Sequence, residues 1–223
     1  MKKILDMVFD SKYTILLLVP IIVGAVFVRT YRIHNPVADW HSWRQADTAA
    51  VSRNFVKDGF NPLFPQYDAL NPLNETGQPN PNRYFFAEFP LYNILTYFAY
   101  QKFGIHEEYA RMISIFFSVS TVLFLYLLVS IYSTKRVALF AAFIFAFLPY
   151  NIFYGQVILP DPMYIFFSVT TLYLVSKWLE KENIIFMILS GVAGTLAILE
   201  KPYALVLVIP IFYLFYRKWG WRL

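Results

Sequence analysis

The chain has 223 residues, of which 58% are hydrophobic and 20% aromatic, and it carries a formal net charge of +5. Soluble domains are nearer half apolar and interrupt their apolar residues every few positions, so this composition argues against a soluble domain. No cysteine is present, which excludes disulfides and thiolate metal sites. In such an apolar chain, excess Lys and Arg are more typical of cytoplasmic loops than of nucleic-acid binding, and we expect no nucleic-acid partner.

Apolar runs recur along the chain at lengths that suit a hydrocarbon core of about 30 Å, which takes about 20 helical residues. In chain order they are Tyr13–Ile33, Met112–Tyr132, Val137–Tyr154, Met163–Trp178, Ile184–Leu199 and Tyr203–Tyr216. They predict an all-α polytopic membrane protein with about six transmembrane helices in one membrane domain, residues 1–223. The first run is too long for a signal-peptide core, and no small-residue cleavage site follows it, so we expect it to remain as a helix.

Basic residues concentrate in the short segments that the six runs would place on one side of the membrane. These residues are Lys2, Lys3, Lys12, Lys135, Arg136, Lys177, Lys181, Arg217, Lys218 and Arg222. The positive-inside rule makes this side cytoplasmic and predicts a multi-pass protein of the cell's inner (plasma) membrane with both termini in the cytoplasm. The opposite side then receives residues 34–111, Gly155–Pro162 and Glu200–Pro202.

The long extracytoplasmic loop has its own pattern. From Asp39 to Lys57, apolar residues recur every three or four positions, which predicts an amphipathic helix lying in the interface, with its tryptophans toward lipid or protein. Ser42 or Asp39 is expected to cap its start, and Gly59 suits its end. A second aromatic segment, Arg83–Phe103, is predicted to return the chain to the membrane.

Three acids, Asp47, Glu88 and Asp161, fall on the predicted extracytoplasmic side. Charged groups are costly at a membrane, so their convergence predicts a site in which they face one cavity. Each also has a structural interpretation. Asp47 could pair with Arg44 on a wet helix face, Glu88 could be a solvated loop acid, and Asp161 could cap a helix that begins at Pro162.

The other polar candidates have similar alternatives. Lys201 could be an interfacial anchor that Glu200 neutralises. The three histidines, His34, His41 and His106, lack ligand-like spacing, so a metal site is the less favoured interpretation for them.

Four segments, in their order and on their predicted side, resemble the GT-C superfamily of polyprenyl-phosphate-sugar-dependent glycosyltransferases. The similarity is to the bacterial branch near aminoarabinose transferases and protein O-mannosyltransferases. The segments are Trp43–Phe55, Arg83–Leu91, Leu159–Pro162 and Glu200–Pro202. The resemblance implies transfer of a sugar from a polyprenyl-phosphate donor to a hydroxyl of a glycan, lipid or protein acceptor, on the outer face of the membrane and usually with inversion.

The resemblance also implies roles for individual residues. A carboxylate must accept the acceptor's proton, and Asp47 matches the early loop acid of the family. Asp161 and Glu88 complete the predicted catalytic acids. The predicted substrate-binding residues, some for the lipid phosphate, are Lys201, Arg44, Arg83, His41 and Tyr84. No cofactor is assigned, and a divalent metal stays an open alternative.

The chain also departs from the family's pattern. Asp47 has no acidic neighbour, and Phe89 stands where close relatives often have Lys. Such enzymes are usually more than twice this long, so we expect an N-terminal portion that lacks further helices and any soluble C-terminal domain. Two other classes stay open, a non-catalytic membrane subunit or relic and a transporter of lipid-linked saccharides.

Overall fold

The computed structural model describes residues 11–68, 73 and 77–220. Lys2, Lys3 and Arg222, which contribute to the predicted orientation, lie outside these residues. The helices are α1 (Ser11–Thr30), α2 (Ser42–Lys57), α3 (Leu91–Phe103), α4 (Glu107–Tyr132), α5 (Lys135–Phe147), α6 (Pro149–Tyr154), α7 (Asp161–Lys181), α8 (Ile184–Glu200), a 3₁₀ helix (Pro202–Leu207) and α9 (Val208–Trp219). The described residues form no strand, which confirms the all-helical class.

Membrane-spanning character is clearest for α4. Among the described residues it is the one helix that is both long enough and apolar enough to cross a bilayer, with a mean hydropathy of 2.4 over 18 residues. Two shorter apolar stretches, Leu16–Thr30 and Ile184–Glu200, belong to α1 and α8. The prediction of six spans therefore stays a prediction.

Two of the predicted runs are not single continuous α-helices. The third run breaks between α5 and α6, where Leu148 has an extended backbone and Pro149 begins the next helix. A residue before proline is disfavoured in the α conformation, and proline suits the first helical turn, so the break is local in origin. The sixth run likewise begins with a 3₁₀ turn from Pro202 before it continues as α9.

The start of α2 differs from the prediction. Its N-cap is His41, which has a left-handed φ of 58° and forms no side-chain capping hydrogen bond. Ser42 is the first helical residue, and Asp39 accepts a hydrogen bond of 2.6 Å from the Gln45 side chain, so neither residue caps the helix as predicted. The C-terminal end agrees better, because Gly59 follows with a φ of 110°.

The inward face of α2 is made mostly of small and polar residues, while the tryptophan of its first turn and the one just before the helix point outward. Trp40 and Trp43 are 70% and 60% exposed. The buried side packs on α3, where the Asn93 amide donates to the Thr48 carbonyl (2.6 Å) and to Ser52 Oγ (2.9 Å). Small side chains let the two helices approach closely, and these bonds satisfy the polar groups that become buried.

Two sets of contacts define the opposite ends of the bundle. At one end, the Tyr132 hydroxyl bonds Ser176 Oγ (2.7 Å) and Lys218 Nζ pairs with Glu182 (2.6 Å), so the C-terminal ends of α4, α7 and α9 lie together. We call this the basic end, since it also holds Lys135, Arg136, Lys177, Lys181 and Arg217. At the other end, called the site end, Arg111 near the start of α4 donates to the carbonyls that follow α1.

A buried arginine joins four helices close to the site end. Arg29 is fully buried and donates to Ser118 Oγ (2.9 Å), the Ala146 carbonyl (2.8 Å) and the Asn151 carbonyl (3.2 Å). It thereby provides partners for carbonyls on both sides of the break between α5 and α6. Gly155 permits this approach, because a Cβ there would lie 2.6 Å from Arg29 Nε.

Candidate ion-pair site

The first element of the candidate site is an ion pair between two helix ends. Lys201, directly after α8, places Nζ 2.8 Å from Oδ1 of Asp161, the first residue of α7. The N-cap position of α7 belongs to Pro160, so Asp161 does not act as the simple helix cap considered from the sequence. The Lys201 and Asp161 side chains are 22% and 34% exposed, which leaves the pair accessible.

A second ion pair is more enclosed. Arg44 Nη2 donates to both Glu88 carboxylate oxygens, at 2.7 and 2.8 Å, and the two side chains are 18% and 12% exposed. The guanidinium also lies over the Phe85 ring, 4.7 Å from its centroid. Ionic hydrogen bonds are stronger than neutral ones, and cation–π contact adds to them, so Arg44 is held on two sides.

The two pairs form one electrostatic cluster. Burial raises the pKa of the Glu88 carboxyl above its ordinary value, while the positive charges of Arg44 and Lys201 act against this shift and the Asp161 charge adds to it. The residue after Glu88 also donates a backbone hydrogen bond of 3.2 Å to the end of α8, which Lys201 follows, so the structure brings together four of the residues predicted from the sequence.

Asp47 lies on α2 about one turn after Arg44, on the same side of the helix, and is half-buried. Its predicted role as the general base stays a prediction.

The position of α2 relative to Asp161 depends on Gln45, which had no role in the sequence analysis. Gln45 is fully buried and accepts a hydrogen bond of 3.2 Å from the backbone N–H of Ile158, three residues before Asp161. The Val157 carbonyl is held by Ser114 Oγ at 2.6 Å. The segment that leads into α7 is therefore fixed from α2 and α4. No signal in the sequence marked Gln45, because the predicted apolar stripe contains Trp43, and a residue two positions later lies on nearly the opposite side of a helix.

The remaining predicted residues lie around this cluster or apart from it. His41 packs beside Tyr154, with ring centroids 6.2 Å apart, and Tyr154 and Asp161 line the same cleft of about 30 Å³. Tyr84 instead lines a separate polar cavity of about 150 Å³ at the C-terminal end of α2, and Arg83 approaches Asp68 at 4.0 Å. The structure therefore gives Arg83 and Tyr84 other partners than the two ion pairs.

Glu200 is a buried acid for which the sequence suggested no role beyond a possible charge partner of Lys201. Its carboxyl is fully buried and accepts a hydrogen bond of 3.0 Å from the backbone N–H of Tyr92 in the first turn of α3. Lys201 pairs with Asp161 instead, so the arrangement in which Glu200 serves as the counterion of an exposed anchor is not the one found.

Within the described part of the chain, no group of three or more His, Asp or Glu residues is arranged to hold a metal ion. The chemistry of the cluster is that of two cations, which suit an anionic oxygen, beside carboxylates, which suit proton transfer.

The family follows from a sequence comparison. Residues 80–223, well over half of the chain, match the family model described as dolichyl-phosphate-mannose-protein mannosyltransferase. The chain belongs to this family. It therefore contains a GT-C family domain of a membrane-embedded glycosyltransferase family. Comparisons with curated proteins and with solved structures give no match.

The matched region of this mannosyltransferase-family chain includes Glu88, Asp161 and Lys201 but begins after Arg44 and Asp47. The part of the cluster contributed by α2 is therefore supported by its contacts alone. The bonds from Arg44 Nη2 to both Glu88 oxygens join α2 to the matched region.

Proposed function

We propose that this chain forms the acid- and cation-bearing part of an integral membrane glycosyltransferase. It transfers a sugar from a polyprenyl-phosphate donor to an acceptor hydroxyl on the outer face of the membrane. The observation that carries the proposal is the accessible pair of Lys201 with Asp161, next to the pair of Arg44 with Glu88, in a chain of a mannosyltransferase family.

Lys201 is the ligand for the donor phosphate. Its ammonium group makes one contact with the more exposed acid, Asp161, so an incoming phosphate displaces that acid at low cost. Arg44 Nη2 donates to both oxygens of the more buried Glu88, and the guanidinium lies over the Phe85 ring, so we assign Arg44 the role of keeping Glu88 in place. Stabilising the phosphate as it leaves is the main electrostatic requirement of this reaction.

The reaction proceeds by direct displacement. The acceptor oxygen forms a bond to the anomeric carbon while the bond from that carbon to the phosphate oxygen breaks, and the electron pair leaves with the phosphate. Asp47 takes the proton of the acceptor hydroxyl. Asp161, released from Lys201 by the phosphate, orients the acceptor. A single displacement inverts the anomeric configuration.

The site end lies outside the cell in this proposal. The basic end gathers Lys and Arg from the start of α5 and the C-terminal turns of α7 and α9, as the cytoplasmic ends of membrane helices do. With about six spans, both chain termini are then cytoplasmic, in the inner (plasma) membrane. The acceptor is a glycan, lipid or protein that reaches the outer face.

The test uses membranes that contain the protein with a panel of polyprenyl-phosphate sugars, and it follows transfer to added acceptors. We expect transfer that requires the sugar-loaded lipid and that a Lys201→Ala variant performs poorly at low donor concentration. Movement of the intact donor across the bilayer without transfer would overturn the proposal in favour of a transporter. Normal transfer by the Lys201→Ala variant would overturn the assignment of the phosphate site.

A further inference from the structure

The Glu200 carboxyl has an unusual environment for an acid. It is 0% exposed, Oε1 accepts one hydrogen bond from the Tyr92 N–H, and within the described residues Oε2 has no hydrogen-bond partner. A buried polar oxygen without a partner costs free energy. A glutamate at position 200 is therefore not favoured by stability alone.

Glu200 lies at a junction between the two ion pairs. The next residue, Lys201, pairs with Asp161. The preceding residue, Leu199, accepts a hydrogen bond of 3.2 Å from the Phe89 N–H, and Phe89 directly follows Glu88. Three consecutive residues at the end of α8 therefore contact, in turn, the segment that carries Glu88, the first turn of α3 and the helix start that carries Asp161.

The bond to Tyr92 is a helix cap supplied from another helix. The N-cap of α3 is Pro90, which forms no side-chain capping bond. The first N–H groups of a helix lack partners within it and favour an acidic group nearby. Glu200 meets this need, and so it joins the start of α3 to the end of α8.

We propose that Glu200 is a positioning residue that sets the separation of the Arg44–Glu88 pair from the Lys201–Asp161 pair. Glu88 lies only four residues before Tyr92, so a shift of the start of α3 moves the Glu88 turn relative to Lys201. A misplacement of about 1 Å can lower turnover by about 10²-fold. The proposal rests on the proposed function, because the separation matters only if one substrate contacts both pairs.

The decisive comparison is Glu200→Gln against Glu200→Ala. Glutamine retains a side-chain oxygen that can accept from Tyr92, whereas alanine does not. We expect Glu200→Ala to speed amide hydrogen exchange in the first turn of α3, residues 91–95, and to lower kcat by about 10- to 100-fold with little change in the donor KM. Glu200→Gln should stay near the unmodified protein in both measurements. Ser190→Ala, a buried polar site on the same helix, is the matched control.

The readouts separate the possible failures. A merely structural role would reduce the amount of folded protein but leave kcat per folded molecule unchanged, and this result would overturn the proposal. Equal loss in the Gln and Ala variants would also overturn it, because the charge and not the acceptor would then matter. If the unmodified protein has no transferase activity but Glu200→Ala still exchanges faster, Glu200 is confirmed as the cap of α3 and only the proposed function is rejected. If Glu200→Ala does not fold, Glu200→Asp takes its place, since the shorter side chain withdraws the acceptor.

Discussion

Lys201 Nζ lies 2.8 Å from Asp161 Oδ1, although 40 residues separate the two along the chain, while the adjacent Glu200 turns inward to cap another helix. This relationship links the C-terminal end of α8 to the N-terminal end of α7. It places a cation and a carboxylate together at an accessible position, where an anionic ligand can exchange with the acid.

Loss of the proposed phosphate ligand should weaken donor binding. In Lys201→Ala we expect the donor KM to rise roughly 10- to 100-fold, because a hydrogen bond to a charged group contributes about 1.5–3 kcal/mol. Steady-state kinetics with varied donor measures the change. Lys102→Ala, at an exposed lysine of α3, is the control and should behave as the unmodified protein. An unchanged KM for Lys201→Ala would remove Lys201 from the phosphate site.

Asp47→Asn tests the proposed base. The change is nearly isosteric, so folding and donor binding should persist while turnover falls by about 10²- to 10⁴-fold. Single-turnover transfer at saturating donor measures the chemical step. Asp58→Asn, at the exposed C-cap of the same helix, should leave the rate unchanged. Near-normal transfer by Asp47→Asn would reject Asp47 and favour Asp161 or Asp39.

Arg29 should contribute to stability and not to transfer chemistry. Arg29→Met leaves the buried Ala146 carbonyl without this donor, at about 1–3 kcal/mol for an unpaired group, whereas the Asn151 carbonyl keeps its bond from the Gly155 N–H. Chemical unfolding in detergent should show a lower free energy of unfolding. Arg32→Met replaces an exposed arginine three residues later and should have little effect. Equal losses in both variants would contradict the role assigned to Arg29.

The burial of the Glu88 carboxyl should make the stability of the protein depend on pH. Burial raises its folded-state pKa above the ordinary value of 4.5, so the folded state binds the proton more tightly than the unfolded state. The stability gained from this tighter proton binding is fully present below the unfolded-state pKa and is lost as the pH rises through the folded-state pKa. The unfolding free energy relative to Glu88→Gln should therefore decline from about pH 4.5 upward. If the unfolding free energy relative to Glu88→Gln instead rises with pH, the Arg44 charge outweighs the effect of burial on the Glu88 pKa.

The absence of cysteine permits a clean test of topology. A single cysteine at Asn82, in the loop at the site end, should react with an impermeant thiol reagent in intact cells. A cysteine at Ser133, in the exposed turn between α4 and α5, should react only after lysis. The reverse pattern would place the basic end outside and would remove the site from the outer face.

Local chemistry along the chain was enough to predict where most helices form. Apolar runs of suitable length marked α1, α4, α7 and α8, because burial of apolar side chains sets helix positions. The same reasoning missed the break at Pro149, although that break is also local, since proline and the residue before it disfavour a continuous helix. The cap of α2 was missed because His41 adopts a left-handed backbone that composition does not reveal.

The sequence by itself also determined which ionisable residues were worth attention, because charged groups are rare in an apolar chain and cluster near helix ends. Only the tertiary structure decided their partners: Lys201 with Asp161, Arg44 with Glu88, and Glu200 with the backbone of α3. Each contact joins residues at least 40 positions apart, and no local pattern encodes such a distance. Which acid is buried and which is exposed depends on how the helix ends pack, since desolvation and pairing are properties of the assembled bundle.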